Sequence, residues 1–155
     1  MPTTIDDLAI ANLFSALTNV VTGNTAVGTF AYQTTLTPVL SSRLGTVQTP
    51  GVAGVVQIGL EPLAEYPAMH DEYHVHLGIQ VHAGSVLSPS TTIETQLRLY
   101  AADIRLALGV DIQRGGKAIN TLFDPDIYEV EMDPPFVIVP VKLHIRTLRN
   151  NRYSN

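Results

Sequence analysis

The chain has 155 residues, a length at which one domain buries its own core without disulfides or a structural metal. With 45% apolar and 15% charged residues it reads as globular, and its lack of cysteine excludes a disulfide framework, a thiolate nucleophile and every cysteine-based zinc site. The net charge of −5 is unevenly spread: all 14 acidic residues lie between Met1 and Asp133, whereas Pro134 to Asn155 carries Lys142, Arg146, Arg149 and Arg152 and no acid, a basic footprint too small for a phosphate-neutralising nucleic-acid binder.

Met1 to Asp7 has no basic residue and carries Asp6 and Asp7, so it does not read as a secretory leader, and no apolar run approaches the roughly 20 residues that span a bilayer. A soluble, unexported protein is expected. Thr4 followed by Asp7 is a capping signal, and Ile5, Leu8, Ala9, Leu13, Ala16, Leu17 and Val20 recur at helical spacing, which predicts a helix over Ile5 to Val20 ended by Thr22-Gly23-Asn24. The next stretch is unusual, because between Asp7 and Glu61 the only charged side chain is Arg43. It has strand chemistry at Ala26 to Thr35 and at Gly51 to Leu60, with Pro38 and Pro50 as breakers. Uncharged strand edges invite pairing, and charge depletion marks the core of subunit interfaces, so burial against another chain is expected for this segment.

The clearest strand runs from Glu72 to His82. Tyr73, Val75, Leu77, Ile79 and Val81 alternate with Glu72, His74, His76, Gly78, Gln80 and His82, giving one core face and one polar face. Ser88-Pro89-Ser90 leads into a second helix with Thr91 and Glu94 as its capping box, Ile93, Leu97, Tyr100, Ala101, Ile104 and Leu108 as its apolar stripe, and Gly109 at the position of a left-handed cap. After an Arg114-Gly115-Gly116 turn, Asp126 to Met132 and Phe136 to Thr147 read as an antiparallel pair. Val137, Val139, Val141, Leu143 and Ile145 form the apolar face of the second, and Lys142, His144 and Arg146 lie opposite, with Glu129 and Glu131 as expected cross-strand partners. Pro140 removes a ladder donor, which predicts an edge strand or a bulge. The order of elements lacks the βα alternation of a doubly wound fold, so the expected class is α+β: a mainly antiparallel sheet of about four or more strands packed with two helices in a single domain, 1–155.

The one constellation that suggests chemistry is His74 and His76 on the polar strand face, with Glu72 and His82 beside them. His-x-His on a strand is the geometry of cupin-type metal sites. The glutamate that such sites place a few residues on is missing, since Leu77-Gly78-Ile79-Gln80 follows, and His82 stands more than about 20 Å from His74 along an extended strand. His74 and His76 are therefore only weak metal candidates and are expected to face solvent or an interface. Gly115-Gly116-Lys117 lacks the rest of a phosphate loop, Asp124-Pro125-Asp126 reads as a solvated turn before a calcium ligand pair, and no serine sits in a Gly-x-Ser-x-Gly elbow. No enzyme activity and no cofactor is expected.

In layout the chain resembles the tail terminator or tail-completion proteins of tailed bacteriophages. The likeness lies in the helix at Ile5 to Val20, the long strand pair at Gly51 to Leu60 and Glu72 to His82, the helix at Thr91 to Leu108, and the closing strands that end in Leu143-His144-Ile145-Arg146-Thr147-Leu148-Arg149. The resemblance implies a virion protein made in the bacterial host cytoplasm: a ring, typically a hexamer, that caps the tail tube and joins it to neck and head-tail connector proteins, with DNA passing through the bore and no membrane or sequence-specific nucleic-acid contact. A stopper-like neck protein or minor tail protein shares most of these features. On this reading the basic, flexible tail at about 148–155 meets an acidic surface of a neighbour, with Arg146, Arg149 and Arg152 at the assembly interface.

Overall fold

Thr4 is extended and its hydroxyl accepts the Asp7 N–H at 3.1 Å, which starts α1 (Ile5–Thr18). The structure, a computed structural model, describes residues 3–40, 50–66, 70–82, 93–123, 129–132, 135–148 and 153–154. Ala9, Leu13 and Leu17 form the buried stripe of α1. The helix stops at Thr18, where the Asn19 N–H closes onto the Ala16 and Leu17 carbonyls, yet Val20 is still wholly buried in the core. Just ahead of α1, β1 (Thr3–Thr4) pairs with the C-terminal β10 (Tyr153–Ser154), so the end of the chain is drawn back to its start where the sequence predicts a free tail.

The neutral segment is partly used inside its own domain. The expected strand at Ala26 to Thr35 is two short ones, β2 (Thr25–Val27) and β3 (Phe30–Ala31), folded about Gly28 at φ +58°. Tyr32, Thr34 and Leu36 are then buried, and the Leu36 N–H bonds to the Val20 carbonyl at 3.0 Å. Asp103, buried on the second helix, accepts the Gln33 N–H at 3.0 Å, the Thr34 N–H at 2.7 Å and the Thr34 hydroxyl at 2.5 Å. β4 (Thr37–Leu40) contains Pro38 rather than breaking there. It pairs in parallel with the start of the next strand, and as an outer strand it tolerates one missing donor.

β5 (Val52–Tyr66) and β6 (His70–His82) form a long antiparallel hairpin, and β9 (Pro135–Leu148) runs antiparallel along the whole of β6. On the far side of β9 lie β7 (Asn120–Phe123) and β8 (Glu129–Met132), each opposite its own half of that strand. The order is β4-β5-β6-β9-β7 with β8 also on β9, every pairing antiparallel except β4 with β5. This is the expected α+β architecture, a sheet with two helices. Pro140 is neither on an edge strand nor in a bulge: β9 is central, and Pro140 falls between the residues that β7 and β8 pair with, so neither calls on its missing N–H. Glu129 and Glu131 stand opposite Ile138 and Phe136, not opposite the basic residues, which are instead across from Glu72, His74 and His76.

α2 (Ile93–Gly109) buries Leu97, Tyr100, Ala101, Ile104, Ala107 and Leu108; its expected cap Thr91 lies outside the described residues. Gly109 is the last helical residue and is not left-handed; positive φ comes later, at Arg114, Gly115 and Gly116. Arg114 is wholly buried in that turn, where its guanidinium donates to the Leu108 carbonyl at 2.5 Å, an acceptor that the helix end leaves open, and to the Asp111 carbonyl just beyond the helix. Both helices pack on the sheet face that carries Tyr73, Val75, Leu77, Ile79 and Val81 of β6 with Val137, Val139, Val141, Leu143 and Ile145 of β9. Each fully buried aliphatic side chain there contributes about 1.5–3 kcal/mol, which makes this face the main source of stability. No helix among the described residues is long and apolar enough to cross a membrane.

Candidate functional site

The sheet face turned away from the helices divides into two halves. At one end Val56, Gln80, His82, Phe136 and Ile138 are buried. His82 is therefore buried, although strand alternation places it on the polar face. At the other end the same face carries Glu61, Glu72, His74, His76, Lys142 and His144 in one polar field across three strands.

A bulge puts Glu61 in that field. From Ala53 to Gln57 the odd residues of β5 pair with Val81, Ile79 and Leu77 and so look toward the helices. The register shifts between Gln57 and Gly59, and beyond the extra residue Ile58 the odd residues change face, so that Gly59 lies opposite His76 and Glu61 opposite His74. Glu61 Oε2 lies 2.6 Å from His76 Nε2 and 3.8 Å from His74 Nδ1. The missing carboxylate of the His-x-His pattern thus comes from the neighbouring strand. Alternation read from Val55 assigns Glu61 to the wrong face, which is why sequence reasoning passes over it.

His144, across from His74 on β9, meets it edge to face at 5.1 Å between ring centroids, and its Nε2 lies 2.6 Å from Glu72 Oε1. The hydrogen bond with His76 holds the Glu61 carboxyl below its ordinary range, with the nearby histidines and Lys142 acting in the same sense. Burial pushes the His74 imidazole down, followed by the proximity of His144, which favours the neutral ring. Its Nδ1 is buried without a hydrogen-bond partner and is directed toward Glu61. Glu61, His74 and His76 offer ligand atoms that all lie within 4.8 Å of one another, a group with the composition of a transition-metal site.

A second feature concerns the two lateral edges of the sheet. β4 covers β5 only from Val52 to Val55, and among the described residues no strand pairs with the rest of that edge. Leu40, Ile58, Leu60 and Leu63 are exposed along it, Ile58 and Leu63 being the extra residues of the two bulges. Beside them a mainly apolar groove of about 620 Å³ runs between α1 and β5, lined by Ile10, Phe14, Leu40, Val55 and Leu77 together with Asp7 and Gln57. At the opposite edge, Ile112 and Ile119 are exposed next to β7, where the Thr121 hydroxyl bonds the Ile112 carbonyl at 2.8 Å. Of the three basic residues expected at an interface, Arg146 is exposed near the end of β9 and opposite Glu72, while Arg149 and Arg152 lie outside the described residues.

No protein-family model matches the chain, and no curated protein is significantly similar to it.

Proposed function

We propose that this chain is a virion structural protein of the tail terminator type, whose copies close head to tail into a ring that caps the tail tube and joins it to the neck. The observation that carries the reading is the pair of exposed apolar patches on opposite edges of one sheet, Leu40, Ile58, Leu60 and Leu63 on the β5 side and Ile112 and Ile119 on the β7 side. Two different complementary surfaces on one subunit make a heterologous contact, and such contacts generate rings when the rotation closes. Exposed apolar clusters of this kind mark association surfaces. The order of elements, helix, long hairpin, helix and closing strands, follows the layout on which the family resemblance rests.

The test uses one variant at each edge. Ile58→Asp with Leu60→Asp blocks the β5 side, and Ile112→Asp with Ile119→Asp blocks the β7 side. Each variant alone stays monomeric by light scattering, in solution and on purified tail tubes, whereas an equimolar mixture of the two forms dimers and nothing larger, because one intact interface remains. Wild-type protein that stops at symmetric dimers, or assembly that ignores one of the two edges, contradicts the reading.

A further inference from the structure

The geometry points to a binding site for one divalent first-row transition-metal ion on the outer face of the β5–β6 hairpin, with Glu61, His74 and His76 as its protein ligands. Its separate parts support one another. His74 and His76 share a strand face because they are two residues apart, and the Ile58 bulge turns Glu61 onto the same face from the adjacent strand. Ligand atoms held at about 2.0–2.2 Å by a tetrahedral zinc stand roughly 3.3 Å from one another. The separations from Glu61 Oε2, 2.6 Å to His76 Nε2 and 3.8 Å to His74 Nδ1, bracket that spacing, and the three ligand atoms all lie within 4.8 Å of one another.

The chemistry of the donors agrees with the distances. Imidazole nitrogen with one carboxylate oxygen suits zinc, iron, nickel and cobalt better than calcium or magnesium, which prefer all-oxygen shells. A buried ring nitrogen with no hydrogen-bond partner is costly unless something accepts its lone pair or its proton, and His74 Nδ1 is such an atom. A bound ion supplies that partner and takes the place of the proton between His76 Nε2 and Glu61 Oε2. Three protein ligands leave the remaining coordination positions to water or to a neighbouring molecule, since Glu61 is exposed and His76 partly so. Lys142, opposite His76, opposes the cation, while Glu72 is engaged with His144 beside His74.

The probes are zinc(II), followed by isothermal titration, and cobalt(II), followed by its visible absorption, on tag-free full-length protein dialysed against chelator. The expected result is one ion per chain, with a cobalt spectrum of low coordination number. Loss of a supporting hydrogen-bond partner already costs metal sites about 10–100-fold in affinity, so Glu61→Gln and His74→Ala with His76→Ala should each lose at least that much. His82→Ala, at the buried far end of the strand, leaves binding unchanged. Circular dichroism shows whether the double variant folds; if it does not, the conservative Glu61→Gln decides alone. No stoichiometric binding, or affinity indifferent to Glu61→Gln, overturns the assignment. The proposed ring does not depend on it: the β7-edge variant that blocks assembly, Ile112→Asp with Ile119→Asp, leaves zinc affinity intact, and Glu61→Gln leaves assembly intact.

Discussion

Replacing Asp103 with alanine tests whether the neutral segment belongs to the domain's own core. Asp103 is buried and answers three donors from a segment some seventy residues away: the Gln33 N–H, the Thr34 N–H and the Thr34 hydroxyl. Gln33 is exposed, so water replaces the acceptor it loses. Thr34 is only 3% exposed, and both of its donors are left buried without partners. At about 1–3 kcal/mol for each buried unsatisfied group, the expected loss is roughly 2–6 kcal/mol, a large part of the stability of an ordinary domain. Thr34→Ala removes one of these donors together with its acceptor contact, and hydrogen bonds to charged groups are worth about 1.5–3 kcal/mol. The double variant should therefore lose less than the sum of the two single losses, with a coupling of about 0.5–3 kcal/mol. The assay is urea unfolding followed by circular dichroism at a concentration where all variants are monomeric. A loss below about 1 kcal/mol for Asp103→Ala, or additive losses in the cycle, refutes the claim that this contact anchors the segment.

Three further outcomes are expected. Gly51→Ala destabilises by about 2 kcal/mol or more, because φ is +78° and a Cβ there meets the Thr35 carbonyl oxygen at 3.2 Å. Gly59→Ala, where a Cβ meets nothing within 4 Å, is neutral or slightly stabilising in the same melt. Arg149→Glu with Arg152→Glu weakens assembly, measured by light scattering, while leaving the monomer's circular dichroism intact, and added salt imitates it because exposed charges are screened beyond about 8–10 Å near physiological ionic strength. Equal assembly of wild type and variant at every salt concentration shows the tail to be merely solvated.

The parts of the fold that follow from periodicity were legible: Thr4 with Asp7 at the start of α1, the alternation of β6, the stripe of α2 and the apolar face of β9. What depends on a neighbouring strand was not. Pro38 reads as a breaker because its missing donor matters only if both sides are paired, and β4 is an outer strand. Pro140 reads as an edge or a bulge for the same reason, although its donor is lost in the space between β7 and β8. His82 and Gln80 continue the polar face by alternation, yet they are buried, since alternation specifies the face and not what surrounds it. The candidate metal group shows the same division. His74 and His76 were visible as a pair, whereas Glu61 joins them only through a one-residue bulge that no local pattern announces. Arg114 was read correctly as part of a turn, but its burial beneath the end of α2 follows from the helix carbonyls it serves.

The absence of native cysteine makes the proposed head-to-tail contact directly testable by cross-linking. Leu60→Cys and Ile119→Cys place one thiol on each proposed edge. Under mild oxidation on tail tubes, the chain carrying both is predicted to give a ladder of covalent oligomers ending at the copy number of the ring. Each single variant stays monomeric, and mixing the two single variants gives only dimers. Covalent dimers from either single variant alone would mean like edges meeting, and closed rings that never cross-link between the two edges would place the interface elsewhere; either result contradicts a ring built from opposite edges of this sheet.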